Sequence, residues 1–211
     1  MDGVSIDTIT VADDGRCWAG LGFRVSAERC QLGSVVLDFA GAGQAQGITS
    51  WSLRGLASAD LDGLPTDASA QPVRNVAELH PNGVSSIDHL VAISTDLDRS
   101  VSQLQAAGLD LRRIRELPTP AGAPRQAFFR LGQEILEVIQ QPQEIVQAQG
   151  ASRGLRFWGL ALAVSDLEKT VAGLGEKVGP IKPAVQPERR IATLRRQAGL
   201  SLPIALIDAK T

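Results

Sequence analysis

Cysteine and histidine are scarce in this sequence, two of each in 211 residues. Cys17 and Cys30 have neither CxxC spacing nor the density of a disulfide framework, so both are expected as free thiols. There is no GxSxG elbow, P-loop or HExxH, and no Cys–His arrangement, so nucleophilic hydrolysis has no support. Charge of one sign is also missing. The formal net charge of -2 excludes a broad nucleic-acid footprint, which needs a basic excess. No stretch approaches the ~18 apolar residues of a membrane span. Residues 1–12 alternate rather than forming a charged start and an apolar run, so no signal peptide is expected. The expected location is the cytoplasm, without membrane or nucleic-acid partners.

What is present is ordinary globular composition, 44% apolar and 21% charged, in a chain long enough for one large or two small domains. Arginine outnumbers lysine 17 to 4, with Arg112-Arg113, Arg189-Arg190 and Arg195-Arg196 as pairs on expected strand edges. Gly41, Gly43 and Gly47 give GxGxxxG rather than a dinucleotide fingerprint. The strand-like ITSWSL after them offers no helix N-terminus to a phosphate, so a turn is expected. Trp18, Trp51 and Trp158 are expected as packing anchors.

Two segments repeat. IDHLVAISTDLDRSVSQL (87–104) and FWGLALAVSDLEKTVAGL (157–174) superpose with Asp96 on Asp166, Leu97 on Leu167 and Leu104 on Leu174. In each copy an apolar strand leads to a capping box, Thr95 with Asp98 or Ser165 with Glu168. A helix with one buried stripe follows, stopped by Gly108 or Gly179. Strand-like LDLRRIR, AFFRLG and QEILEVIQ follow the first helix, and PIKPAVQ, RRIATLRR and SLPIALID the second, with PTPAGAP as a turn. Both copies read βαβββ, over 84–142 and 155–208.

Residues 1–64 carry a shorter echo. Ser5-Ile6-Asp7 parallels Ser86-Ile87-Asp88, Leu32-Gly33 parallels Leu131-Gly132, and WSLRGLASADLD (51–62) restarts a module. This region reads as a degenerate half module with an extra strand, and 65–83 as a Pro-, Ala-, Ser- and Asp-rich linker to the paired modules of 84–211.

SIDHLVAISTDLDRSV, QAFFRLG and ILEVI together resemble the first module of the vicinal-oxygen-chelate superfamily, the glyoxalase, bleomycin-resistance and extradiol-dioxygenase fold. The resemblance implies an α+β fold of tandem βαβββ modules. Their curved, mostly antiparallel sheets would enclose a ligand cup, with a degenerate module at the N-terminus. Metal-using members carry a His on the first strand and a Glu on the last strand of a module. His89 and Glu137 match these positions, and alternation turns both to the face of Val91 and Ile139, with Leu90, Leu136 and Val138 toward the helices. The second module has Gly159 and Ile204 or Ala205 there, and the N-terminal echo Thr8 and Asp38. His80 lies in the linker.

Two functions stay open. One is a small-molecule binder without metal, with His89 satisfied by Glu137 and the pair able to do acid–base work. Arg125, Gln126, Phe128 and Arg190 are its candidate ligand contacts, the guanidinium groups selecting an anionic or carbonyl-bearing ligand. The other is a lyase, isomerase or dioxygenase with His89 and Glu137 as ligands of zinc, nickel, manganese or iron, although an open divalent site usually has about three protein ligands. A homodimer joining two first modules would supply four ligands to one ion. Pairing of modules within one chain is the simpler arrangement.

Overall fold

The structure, a computed structural model, describes residues 3–76, 78–116, 122, 124–149 and 154–209. The first half runs β1 (Ser5–Val11), α1 (Gly15–Ala19), β2 (Arg29–Leu32), β3 (Val35–Phe39), β4 (Ile48–Arg54) and β5 (Thr66–Ala68). It forms one sheet in the order β2-β3-β1-β4-β5. β5 falls inside the stretch read from composition as linker. Three residues flanked by loop-type sequence carry no strand signal, and pairing with β4 makes the strand.

The second half runs β6 (Val84–Ser94), α2 (Leu97–Ala106), β7 (Asp110–Arg115), β8 (Gln126–Leu131), β9 (Glu134–Gln140) and α3 (Gln143–Gln149). It continues with β10 (Arg156–Val164), α4 (Leu167–Leu174), β11 (Lys182–Pro183), β12 (Arg190–Thr193) and β13 (Ile204–Asp208). These strands make one eight-stranded sheet, β11-β12-β13-β10-β6-β9-β8-β7. In each module the last strand returns parallel to the first, β9 to β6 and β13 to β10, while β6 and β10 pair antiparallel at the centre. The two modules thus pair within one chain. The same rule holds in the first sheet, where β3 is parallel to β1 and β5 to β4. The expected PTPAGAP turn lies mostly outside the described residues.

The helix starts differ by one residue from expectation. Asp96 and Asp166, not Thr95 and Ser165, are the N-caps, each accepting from a backbone N–H three residues on, Arg99 at 3.1 Å and Lys169 at 2.9 Å. A carboxylate caps well because it also meets the positive end of the helix dipole. The first-turn acids Asp98 and Glu168 have another use. Asp98 pairs with Arg125 and Glu168 with Arg190, so each module ties its helix to its third strand. α4 stops at Gly175, at φ 55°, rather than at Gly179.

Both sheets share one continuous apolar core. Trp18 and Trp51 are fully buried in it, and Trp51 meets Phe157 edge-on with ring centroids 5.3 Å apart. Trp158 is 47% exposed instead of buried, because β10 carries a bulge between Phe157 and Gly159 that leaves Trp158 without a partner opposite it on β6. Two turn glycines join the halves reciprocally. Gly33, between β2 and β3, packs on Ser86 at the start of β6, and Gly132, between β8 and β9, packs on Ser5 at the start of β1. A Cβ on either would lie 3.0 Å from the facing serine's Cβ, and both have positive φ, 62° and 68°. Among the described residues no helix is long and apolar enough to cross a membrane.

Candidate functional site

On a regular strand Asp88 and His89 would point to opposite faces. They do not, because β6 bulges there. His89 lies opposite Ala161 and Ile87 opposite Leu162, with Asp88 as the extra residue. Both side chains therefore reach the face away from the helices, and His89 Nδ1 lies 2.8 Å from Asp88 Oδ2. Arg189, just before β12, donates from Nη2 to Asp88 Oδ1 at 2.7 Å and from Nε to the Asp208 carbonyl at 2.8 Å.

On the other side of the imidazole, His89 Nε2 is 3.5 Å from Glu137 Oε2. β6 and β9 are parallel with Val91 opposite Glu137, which sets the two side chains diagonally on one face. Gln126 on β8 donates its amide N–H to the other oxygen of Glu137. The result is a chain of five polar side chains, Arg189–Asp88–His89–Glu137–Gln126, crossing three strands and both modules. Around it this face is apolar, with Val91, Ile93, Ala161 and Ile207 buried. His89 and Glu137 each keep 15% of their side-chain surface open, while Gln126 Oε1 and Arg189 Nη1 are buried without a hydrogen-bond partner.

Of the residues singled out from sequence, His89, Glu137 and Gln126 meet. Phe128 stands on the same face opposite Glu137, with the Arg113 guanidinium 5.0 Å from its ring centre. Arg125 and Arg190 are committed elsewhere. Arg125 forks between Asp98 and Glu116, and Arg190 between Glu168 and Asp208. Asp38 pairs with Arg29 in the first sheet. Sequence reasoning missed Asp88 and Arg189. The available signal was the repeated Ser-Ile-Asp. Asp7 sits at the matching bulge of β1, skipped between Ile6 and Thr8.

The donors do not fit a resident divalent metal. His89 Nε2 and Glu137 are two, and Gln126 turns its nitrogen rather than its oxygen toward Glu137. Across the central pair stand Ala161 and Gly159. Gly159 is sterically fixed, since a Cβ there would lie 2.4 Å from the Pro203 carbonyl oxygen. No histidine can occupy that position without moving β13. Among the described residues no three His, Cys, Asp or Glu side chains cluster as a metal would require.

The second histidine is elsewhere. His80 is buried, accepts at Nδ1 from the Arg24 backbone N–H at 2.9 Å, and has Nε2 3.0 Å from the Gln31 carbonyl and 3.8 Å from Cys30 Sγ. Burial pushes the Cys30 thiol up to about 12, so this Cys–His contact is structural. Burial, helped by the nearby Arg24 charge, holds the His80 pKa below its ordinary 6.5 despite the Gln31 carbonyl. The unfolded chain therefore takes up a proton first, and stability is expected to fall as pH drops below 6.5. Urea unfolding should show His80→Gln gaining stability relative to the wild type as pH drops below 6.5, and a difference that stays constant would contradict this.

No family model and no curated protein matches the chain. Solved structures do. Methylmalonyl-CoA epimerase from Mycobacterium tuberculosis superposes with a TM-score of 0.51 at 16% identity, covering 64% of this chain and 94% of that one. A xylose isomerase-like TIM barrel/4-hydroxyphenylpyruvate dioxygenase fusion protein gives 0.59 at 12% identity, covering 98% of this chain and 49% of that one. This chain thus spans about half of the fusion protein. The likeness and the tandem βαβββ topology agree: the chain has the vicinal-oxygen-chelate, glyoxalase-like fold.

Proposed function

We propose that the chain binds a small carbonyl-bearing molecule on the face of the eight-stranded sheet away from the helices, without a resident metal. The observation that carries this reading is the half-buried His89–Glu137 pair in an otherwise apolar surround. Such a surround favours the organic part of a ligand, and the pair supplies a few fixed polar contacts. The second reading, proton transfer on that molecule, is favoured by Asp88. A histidine oriented from behind by a carboxylate and facing a second carboxylate is arranged for general acid–base work.

Amide NMR on the metal-free chain tests the site, with methylmalonyl-CoA and 4-hydroxyphenylpyruvate as probes because their carbonyls flank exchangeable C–H groups. At least one should shift signals on β6, β9 and β10 around Val91, Glu137 and Ala161, and His89→Ala should abolish the shifts. Shifts confined to other surfaces, or none with either probe, would remove the sheet face as a site. Deuterium exchange at the probe's acidic C–H in heavy water, lost in His89→Ala and in Glu137→Gln, tests the proton transfer.

A further inference from the structure

Alternation alone would turn Asp88 toward the helix side, where a carboxylate meets apolar core. The bulge lays it beside His89 instead, and its two oxygens have different partners, His89 Nδ1 at 2.8 Å and Arg189 Nη2 at 2.7 Å. A carboxylate only accepts, so the 2.8 Å contact puts a proton on Nδ1, whereas Nε2 lies 3.5 Å from Glu137 Oε2, too far for a hydrogen bond to hold the proton there. Arg189 is itself fixed by the carbonyl at the end of β13. The imidazole belongs to the first module and its anchor to the second.

We propose that Asp88 and Arg189 are positioning residues that lock His89 as the Nδ1–H tautomer. Through them the second module serves a site to which it brings no donor of its own. The proposal deepens the acid–base reading of His89 and Glu137 and rests on it. His80 provides an opposite case in the same molecule. Its Nδ1 accepts the Arg24 N–H, so its proton sits on Nε2, toward the Gln31 carbonyl. The chain's two histidines are held in opposite tautomers.

Asparagine at 88 separates positioning from packing, since it keeps the shape. A guanidinium only donates, so in Asp88→Asn Arg189 retains the amide oxygen and the NH2 group turns to His89. Nδ1 must then accept, and the proton moves to Nε2. In Asp88→Asn with Arg189→Met the amide is free to turn back, and Nδ1–H returns.

Ring-nitrogen NMR of the full chain labelled with 15N-histidine reads this directly. Spectra are followed upward in pH until the ring-nitrogen signals stop shifting, where the neutral tautomers are resolved. The wild type should show one Nδ1–H and one Nε2–H ring, assigned with His80→Gln. Asp88→Asn should reverse the His89 ratio by about tenfold or more, as expected for losing a hydrogen bond to a charged group. Unchanged His80 signals report that each variant is folded. Two Nε2–H rings in the wild type, which needs no variant to fold, or an unflipped His89 in Asp88→Asn, would overturn the role of Asp88. A double variant that stays flipped would overturn the role of Arg189. These readouts need no ligand, so they can fail while the probes still bind, and succeed when the probes do not.

Discussion

Replacing Glu134 with glutamine is expected to stabilise the fold by roughly 2–4 kcal/mol above pH 7 and to change little below pH 4.5. Glu134 opens β9 and is 2% exposed, beside the Gly132 turn that packs on Ser5. Burial pushes its carboxyl from 4.5 up to about 7, against the pull of two backbone N–H groups and of Arg54 and Arg130. A raised carboxyl favours the folded state while it stays protonated. As pH rises from 4.5 to 7 the unfolded chain ionises first and that advantage is lost. Glutamine keeps the shape and an oxygen for the backbone N–H groups, and it has no charge to bury. Urea unfolding of both proteins at about pH 4 and pH 8 would show the difference opening only at the higher value. An equal difference at both would mean that Glu134 is not paying for a buried charge.

Asp7→Ala should have the opposite and equally large effect, a loss of about 3–5 kcal/mol near neutral pH. Asp7 and Arg54 are almost completely buried, with side chains 6% and 10% exposed. Asp7 accepts from Arg54, from Arg74 and, at 2.6 Å, from Ser69. Removing the carboxylate takes away the partner that the Arg54 and Arg74 guanidinium groups share. The same cluster holds residues 69–75 across the first sheet, since Arg54 also binds the Gln71 carbonyl and Gln31 the Asn75 carbonyl. Burial works against ionisation of Asp7, but the hydrogen bonds from Ser69 and Arg74 and the charges of both arginines outweigh it and hold the carboxyl below 3.8. Its contribution is therefore present above 3.8 and lost as pH falls further. Equilibrium unfolding at pH 7 gives the loss directly, and a change under about 1 kcal/mol would place the cluster among solvated surface pairs.

The fold was legible where periodicity and repetition coincide. The superposition of Asp96 on Asp166 located both α2 and α4, since a strand, a cap and a helical stripe recur in fixed order. His89 and Glu137 were legible because regular alternation holds from His89 to Ile93 and along β9. Asp88 was hidden by the same rule. A bulge inverts alternation and is created by pairing, so a single strand's sequence does not announce it. The arginine pair at 189–190 misled for a related reason. Arg190 carries the ladder position and turns to Glu168, while Arg189, before the strand begins, reaches Asp88. The three residues of β5 are decided by a partner distant in sequence, β4, and the one-residue shift of both caps by which of two neighbouring side chains reaches the free N–H three residues on.

The reciprocal seating of the Gly33 turn on Ser86 and of the Gly132 turn on Ser5 has the logic of an isologous interface, in which one surface meets a copy of itself. Matching residues of the two halves, Leu-Gly and Ser, exchange roles across it. The chain is in this respect a homodimer written as one polypeptide, and covalent linkage frees its halves from remaining identical. One half has a sheet of five strands with residues 69–75 held by hydrogen bonds from Arg54 and Gln31, and the other a sheet of eight. Asymmetry of this kind is unavailable to a two-chain dimer, where every loss is made twice.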